Sequence, residues 1–291
     1  MPYVVVGREN TGDIRIHYED HGAGPPVVLV HGYLADGRSW EKQEAALLTA
    51  GYRVISYDRR GGGASSRPAV GYDYDTLAGD LNTLLEVLDV RDAVLVGCCS
   101  GTGELTRYLG TYGQRRVRGA ALLAPLPPFL PRSGANPEGI APGVLDAFLG
   151  ELSADRPAAI KTYLDRYYNI DYYNTDYRDD SCPPGVSRVS DQAWQNSFHV
   201  ALRVSAIAAL GCAVAWREDF RADVARITVP TLIVQGAQDR IMPPGATGNR
   251  LAGMLADARL AVLPDGGHAI IWTHAAQVNE LLVGFLRALP G

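Results

Sequence analysis

The sequence predicts an α/β protein with a mostly parallel, eight-stranded sheet. Short apolar runs alternate with helical patterns through the first 125 residues, and such alternation is typical of right-handed β–α–β units. Strand-type runs resume near residue 229, and a helical pattern closes the chain. With 291 residues, of which 47% are hydrophobic, the chain can bury a large core.

Apolar runs and side-chain alternation predict the strands. Ile14–Tyr18 alternates apolar and polar residues with the period of two expected of a half-buried strand. Pro26–Val30 is a continuous apolar run, which is typical of a strand covered on both faces, and later runs repeat it. In chain order, the expected strands are Tyr3–Val6, Ile14–Tyr18, Pro26–Val30, Arg53–Tyr57, Ala93–Val96, Val117–Leu123, Val229–Val234 and Leu260–Leu263.

Apolar residues spaced three and four apart predict helices between these strands. In Tyr74–Leu88, leucines at positions 77, 81, 84, 85 and 88 fall on one helix face. Similar spacing predicts helices at Trp40–Thr49 and Ser100–Tyr112, and a closing helix at Ala275–Leu289.

The alternating pattern breaks after Leu123. A proline-rich stretch, Ala124–Pro131, leads into residues of helical or irregular character that continue to about Arg226. A sheet interrupted by one helical insertion indicates a core with a lid. We therefore predict a core of residues 1–125 and 227–291, with a helical lid of residues 126–226 inserted after the sixth strand.

Composition and charge exclude several classes of protein. The net charge of −5 and the pI of about 5.7 argue against a nucleic-acid-binding surface. No apolar run approaches the roughly 18 residues of a membrane span, and the first residues lack the pattern of a secretory signal. Four irregularly spaced cysteines predict neither a disulfide scaffold nor a zinc site. Since P-loop and HExxH motifs are also missing, we expect a cytoplasmic protein that uses no metal or cofactor.

The most informative motif is Gly97-x-Cys99-x-Gly101, where a predicted strand runs directly into a helix. In such a nucleophile elbow the middle residue occupies a strained turn that lifts its side chain above the sheet edge. That residue is commonly serine, but here the frame places Cys99 there and Ser100 one residue later. Ser100 fits less well, because a cysteine and a threonine flank it two positions away. A buried strand cysteine is the alternative for Cys99, but it leaves the glycines unexplained.

A general acid–base pair follows in the chain order that this motif requires. Asp239 lies in the loop after the predicted strand Val229–Val234, and His268 lies in a glycine loop after Leu260–Leu263. We predict a triad in which the Cys99 thiol is the nucleophile, the His268 imidazole is the base and the Asp239 carboxylate orients it.

The residues after Pro26–Val30 predict an oxyanion hole. Here His31-Gly32 follows the strand, and in this position the next residue donates its backbone N–H to the oxyanion, together with the residue after the nucleophile. The predicted donors are therefore the amides of Tyr33 and Ser100. His31 is expected to hold the loop through hydrogen bonds rather than to take part in catalysis.

These motifs together resemble the α/β-hydrolase fold, and the stretches between them resemble its cofactor-free haloperoxidase branch of perhydrolase-type esterases. The resemblance covers nearly the whole chain and weakens at residues 169–188. It implies a Ser-His-Asp triad, no metal or haem, self-association and small acyl esters as substrates, with halogenation arising when peroxide attacks the acyl-enzyme. The matching stretches are His31–Trp40, Tyr57–Ser66, Gly71–Asp75, Gly103–Tyr108, Ala124–Pro128, Asp219–Asp223 and Gly267–His274.

Cysteine in place of serine changes the expected chemistry. A thiolate is a strong nucleophile near an imidazole, and its acyl product is a thioester, which amines, thiols or a held alcohol attack more readily than water does. Peroxide oxidises such a cysteine. The resulting hypothesis is a cofactor-independent esterase, thioesterase or acyltransferase/cyclase that forms an acyl-thioester at Cys99 and does not use peroxide as its natural acceptor.

Two other interpretations stay open at the level of sequence. In one, Cys99 was engineered into a serine esterase or perhydrolase. In the other, the chain is a non-hydrolytic ligand-binding protein of the same fold. The second is disfavoured by Asp239, His268 and the oxyanion motif, because a binding protein does not need a complete relay.

Aromatic residues indicate where substrate binds. Trp272 lies beside His268 in sequence, and six tyrosines between positions 163 and 177 could form a wall over the pocket. Helix packing and a solvated loop are the alternative for those tyrosines. We predict Trp272, Tyr172 and Tyr173 as pocket residues. The expected partner is a small acyl ester or thioester, with a carrier-bound acyl group as a further candidate.

Overall fold

An eight-stranded sheet runs through the protein, which the computed structural model describes at residues 2–170 and 189–290. The strand order is β1-β2-β4-β3-β5-β6-β7-β8. The β1–β2 and β2–β4 pairs are antiparallel, and every other pair is parallel. The strands are β1 (Tyr3–Glu9), β2 (Gly12–His21), β3 (Pro26–Val30), β4 (Arg53–Tyr57), β5 (Ala93–Cys98), β6 (Val117–Leu123), β7 (Thr231–Gly236) and β8 (Ala258–Leu263).

The predicted eight-stranded, mostly parallel sheet is confirmed. Three strands, β3, β4 and β6, have the predicted bounds. The prediction for β7 was wrong at its start, since the strand begins at Thr231 rather than Val229. Val229 donates its amide to the side chain of Gln114, and Pro230 has no amide hydrogen, so neither residue can donate to a sheet neighbour.

Helices flank the sheet between the strands. α1 (Glu41–Thr49), α2 (Tyr74–Val87), α3 (Gly101–Thr111) and α11 (Ala275–Ala288) correspond to the four predicted helices. The prediction of one helix over Trp40–Thr49 was wrong in detail. Its first residue belongs to a 3₁₀ turn, Gly37–Trp40, whose start is capped by the Asp36 carboxylate accepting from the Arg38 amide at 3.1 Å.

Between β6 and β7 the chain is irregular over residues 124–141, and five helices follow among the described residues. Helices α4 and α5 follow β6, and α6 to α8 lie between residue 189 and β7. The bounds are α4 (Pro142–Ala154), α5 (Arg156–Tyr167), α6 (Asp191–Arg203), α7 (Ala206–Ala215) and α8 (Arg221–Val224); α9 (Gly248–Ala252) and α10 (Ile270–Thr273) come later.

The site loops all lie at one edge of the sheet. β3 and β5 are buried neighbours, with Val30 opposite Gly97, and Cys98 lies opposite Leu123 of β6. β7 and β8 continue the parallel sheet beyond β6. Because parallel strands end at the same edge, the loops that follow β3, β5, β7 and β8 converge there.

No single helix within residues 2–170 and 189–290 is both long and apolar enough to cross a membrane. The pair α6 and α7 reaches the required length and composition together, but the chain bends by 96° between them.

Candidate active site

Cys99 lies in a strained turn between β5 and α3. Its φ of 54° is in the left-handed region, which residues other than glycine rarely adopt. The turn is held because the Cys99 amide donates to the Leu123 carbonyl at 3.0 Å, and the Cys99 carbonyl accepts from the Thr102 amide at 3.0 Å. The strand–turn–helix geometry that the sequence predicts for this segment is present.

Close backbone approaches explain the small residues around this turn. A Cβ at Gly101 would lie 2.4 Å from the Val30 carbonyl oxygen, and a Cβ at Gly32 would lie 2.9 Å from Cβ of Cys99. Neither distance is tolerated by a real side chain. Glycine at both positions therefore lets the loop after β3 pack directly on the turn after β5.

His268 and Asp239 form a buried pair next to Cys99. Nδ1 of His268 lies 2.7 Å from Oδ2 of Asp239, and both side chains are fully buried. Oδ1 of Asp239 accepts the amides of Ile241 at 2.9 Å and Met242 at 2.8 Å, which fixes the carboxylate in its loop. The structure thus brings together the predicted acid and base, which are 29 residues apart in the sequence.

The environment of Cys99 favours a thiolate. Burial raises the pKa of the Cys99 thiol, but the charge of His268, with the amides of Tyr33 and Ser100, outweighs burial and lowers it. Burial lowers the pKa of His268, but the charges of Asp239 and Cys99 and the hydrogen bond to Asp239 raise it to about 10. Both shifts favour the charged forms, a thiolate at Cys99 and an imidazolium at His268.

The amides of the predicted oxyanion donors, Tyr33 and Ser100, both lower the pKa of the Cys99 thiol. The hydroxyl of Ser100 accepts from Nη1 of Arg59 at 3.0 Å. The carboxylate of Glu104 accepts from Nε of the same guanidinium at 2.7 Å. The side chain of Ser100 is therefore anchored by a buried ion pair.

His31 joins two loops, in agreement with its predicted structural role. Its Nε2 accepts from the Arg59 amide at 2.9 Å, and its Nδ1 lies 2.8 Å from the Gly32 carbonyl. Because Nε2 accepts, Nδ1 carries the proton and donates. Burial and the charge of Arg59 lower the pKa of His31 to about 4, so the ring is neutral at physiological pH.

A cavity of about 290 Å³ opens beside Cys99. Trp272 lines it, as expected of a pocket residue, and Lys42 lies 4.5 Å from the centre of the Trp272 ring. The predicted pocket residues Tyr172 and Tyr173 lie outside the described residues. Other lining residues come from the loop after β3, from α5 and from α6, namely Tyr33, Leu34, Asp36, Arg38, Tyr163, Leu164, Tyr167, Tyr168, Asn196, Ser197 and Val200.

Two residues that contact Asp239 or His268 were not part of the predicted triad and oxyanion hole. Gln235 donates from Nε2 to Oδ2 of Asp239 at 3.2 Å, and the ring of Tyr167 contacts His268 edge-to-face at 5.4 Å between centroids. A polar residue in the buried strand Thr231–Gly236, just before the Asp239 loop, is the signal that could have identified Gln235. No comparable sequence signal singles out Tyr167 among its neighbouring tyrosines.

A possible metal-binding group lies elsewhere on the molecule. Side-chain atoms of Glu19, His21 and Glu44 are within 4.8 Å of one another on β2 and α1. Glu19 and His21 are exposed, and the group shares no residue with the cavity beside Cys99. Exposed acidic groups of this kind are common without an ion, so we assign no metal site to it.

Comparisons with known proteins agree with this architecture. A family described as alpha/beta hydrolase fold matches residues 25–275. A Synechocystis sp. protein named "Putative non-heme chloroperoxidase" is 50% identical over 99% of this chain and 100% of its own. The non-heme chloroperoxidase CPO-A1 of Kitasatospora aureofaciens is 35% identical, covering 88% of this chain and 90% of its own.

A solved structure shows the same similarity in three dimensions. The crystal structure of bromoperoxidase from Bacillus anthracis has a TM-score of 0.90 and 36% identity, over 98% of this chain and 99% of that one. The chain therefore belongs to the α/β hydrolase fold family, among its non-heme haloperoxidase-like enzymes.

Proposed function

We propose that the protein is a cofactor-independent acyl-transfer enzyme with a Cys99–His268–Asp239 triad. The observation that carries the proposal is the position of Cys99. Its side chain is buried at a left-handed turn and borders the 290 Å³ cavity, and His268 with the amides of Tyr33 and Ser100 lowers the pKa of its thiol. Esterase, thioesterase and acyltransferase/cyclase activities on small to medium acyl groups are all consistent with this arrangement.

The first half-reaction forms a thioester. The Cys99 thiolate attacks the carbonyl carbon, and the amides of Tyr33 and Ser100 stabilise the oxyanion that develops. The C–O or C–S bond of the substrate then breaks, and the leaving group takes the proton from Nε2 of His268. The Asp239 carboxylate stabilises the imidazolium and keeps Nε2 directed at the reacting atoms.

The second half-reaction releases the acyl group. The now neutral His268 takes a proton from the acceptor, which is water, an alcohol, an amine or a thiol. The acceptor forms its bond to the acyl carbon, and the C–S bond breaks to restore the Cys99 thiolate and the imidazolium. Since a thioester resists water more than it resists amines and thiols, transfer to a held acceptor fits this nucleophile well.

A lid formed by the segment of residues 126–226 is part of the proposal. Tyr163, Leu164 and Tyr167 of α5 line the same cavity as Cys99, as do Ser197 and Val200 of α6. Because these helices cover the sulfur, they would select the acyl group and exclude water. We therefore propose that residues 1–125 and 227–291 form the core and that residues 126–226 form the lid.

Perhydrolysis is a second candidate, because the relatives named above are chloroperoxidases and a bromoperoxidase. In that reaction hydrogen peroxide is the acceptor and a peracid is released. We expect Cys99 to be oxidised first to sulfenic acid and then to sulfinic acid under these conditions. Sustained peracid production at millimolar peroxide, with the Cys99 mass unchanged, would favour perhydrolysis over our proposal.

Intact-mass spectrometry tests the thioester directly. Mixing the protein with a panel of p-nitrophenyl esters and thioesters should add the acyl mass, and peptide mapping should place it on Cys99. The Cys99→Ala variant should carry no adduct. Tight ligand binding without an adduct from any substrate would instead identify a ligand-binding protein and contradict the proposed enzyme.

A further inference from the structure

Two side chains near Cys99 each bury a polar atom that has no hydrogen-bond partner among the described residues. One is His268, whose pKa the charge of Cys99 raises, through Nε2; the other is Tyr163 of α5, which lines the same cavity as Cys99, through its hydroxyl. The role of His268 follows from the triad, whereas the role of Tyr163 does not.

The Tyr163 hydroxyl differs from those of Tyr33 and Tyr168, which line the same cavity. The hydroxyl of Tyr33 donates to the Ala209 carbonyl at 2.8 Å, and that of Tyr168 lies 2.8 Å from the Ser197 hydroxyl. Tyr163 is only 4% exposed, and its hydroxyl is buried without such a partner in the described chain. Burying an unpaired hydroxyl costs free energy, so phenylalanine would pack here at a lower cost.

The ring of Tyr163 is held in place by other aromatic residues. It contacts Tyr33 edge-to-face with 5.3 Å between centroids, and it packs against Phe148 at 6.0 Å and Trp216 at 6.4 Å. Tyr33, Cys99 and Tyr163 all line the same cavity. The Tyr163 ring is thus held beside the cavity that Cys99 borders by an aromatic cluster rather than by a flexible surface segment.

We propose that the Tyr163 hydroxyl is a third hydrogen-bond donor to the Cys99 thiolate, beside the amides of Tyr33 and Ser100, and so is a further catalytic residue. The inference rests on the proposed function, since it requires Cys99 to be the nucleophile. Burial raises the pKa of Tyr163 well above its ordinary value, so its hydroxyl keeps the proton that it donates. Tyr163 stabilises the thiolate and thereby keeps Cys99 ionised at lower pH.

The test is the pH dependence of Cys99 alkylation by iodoacetamide, followed by peptide mass spectrometry at that residue. Tyr163→Phe removes the hydroxyl and keeps the ring. We expect the midpoint of the variant's alkylation profile to lie about one pH unit above the native midpoint. At pH values well below both midpoints, the variant should therefore be alkylated about tenfold more slowly than the native protein. Well above both midpoints the variant should react as fast as the native protein or faster, because a less stabilised thiolate is more nucleophilic.

This readout separates a catalytic role from a structural one. A packing defect would lower the rate at every pH, whereas loss of a donor lowers it only where the thiol is protonated. Tyr72→Phe is the matched control, since its buried hydroxyl donates to the Pro68 carbonyl at 2.6 Å, and we expect its midpoint to be unchanged. Well below both midpoints the thiol is protonated and the proposed bond to the thiolate is absent, so there the thermal unfolding midpoint of Tyr163→Phe should stay equal to the native value or rise.

The two proposals fail in different ways. A native midpoint at the ordinary thiol pKa of about 8.5 would contradict the proposed thiolate–imidazolium pair, whatever the variants do. A low native midpoint that Tyr163→Phe leaves unchanged would overturn the role of Tyr163 alone. An unchanged midpoint with slower acylation by a p-nitrophenyl ester would assign the hydroxyl to the substrate instead and would also overturn the proposal.

Discussion

Nδ1 of His268 lies 2.7 Å from Oδ2 of Asp239, and neither side chain is exposed to solvent. In such an environment the carboxylate charge is weakly screened, so it strongly favours the protonated imidazole. The imidazolium in turn favours ionised Cys99. The buried Asp239 carboxylate therefore favours the charged form of His268 directly and that of Cys99 through His268.

Removing the charge of Asp239 should disable the proposed triad. Asp239→Asn keeps the size of the side chain but lowers the pKa of His268, which in turn raises the pKa of Cys99. We expect single-turnover acylation by a p-nitrophenyl ester at pH 7 to slow on the order of 10³-fold. Asp146→Asn is the control, because Asp146 is an exposed partner of Arg217. Near-native acylation by Asp239→Asn would contradict the triad.

The close approach at Gly101 should make that position intolerant of any side chain. A Cβ there would lie 2.4 Å from the Val30 carbonyl and 2.6 Å from that of His31, so Gly101→Ala must displace the backbone. We expect urea unfolding to report a loss of about 2–3 kcal/mol. Gly284→Ala in α11 has no atom within 4 Å of its new Cβ and should gain about 0.5–1 kcal/mol from helix propensity. Equal effects at both positions would refute this explanation.

The buried ion pair of Arg59 and Glu104 should contribute far more to folding than an exposed one. Nε of Arg59 lies 2.7 Å from Oε2 of Glu104, and the side chains are 6% and 1% exposed. Glu104→Gln leaves the guanidinium charge without compensation, and we expect a loss of about 3 kcal/mol in the free energy of unfolding. Asp20→Asn breaks the half-exposed pair with Arg53 and should cost less than about 1 kcal/mol. If urea unfolding gave similar losses of free energy for Glu104→Gln and Asp20→Asn, the importance of burial for the Arg59–Glu104 pair would be contradicted.

Local sequence patterns were sufficient for most of the fold. Predominantly apolar runs identified β3, β4 and β6 with correct bounds, because strands buried on both faces are largely apolar. Bounds failed where a local feature overrode the pattern, as at Pro230 before β7 and at the Asp36-capped turn before α1. The candidate relay of Cys99, Asp239 and His268 also came from sequence patterns, since each residue follows a strand at the position that the motif requires.

The sequence by itself determined the sheet, the order of the site loops and the candidate relay, because these depend on spacing along the chain. Only the tertiary structure decided what surrounds the sulfur. Gln235 beside Asp239, Tyr167 against His268 and the unpaired hydroxyl of Tyr163 come from segments distant in sequence from Cys99, and their orientation depends on packing. Hydrogen bonds and burial act over a few ångströms in space, so a pattern read along the chain does not contain them.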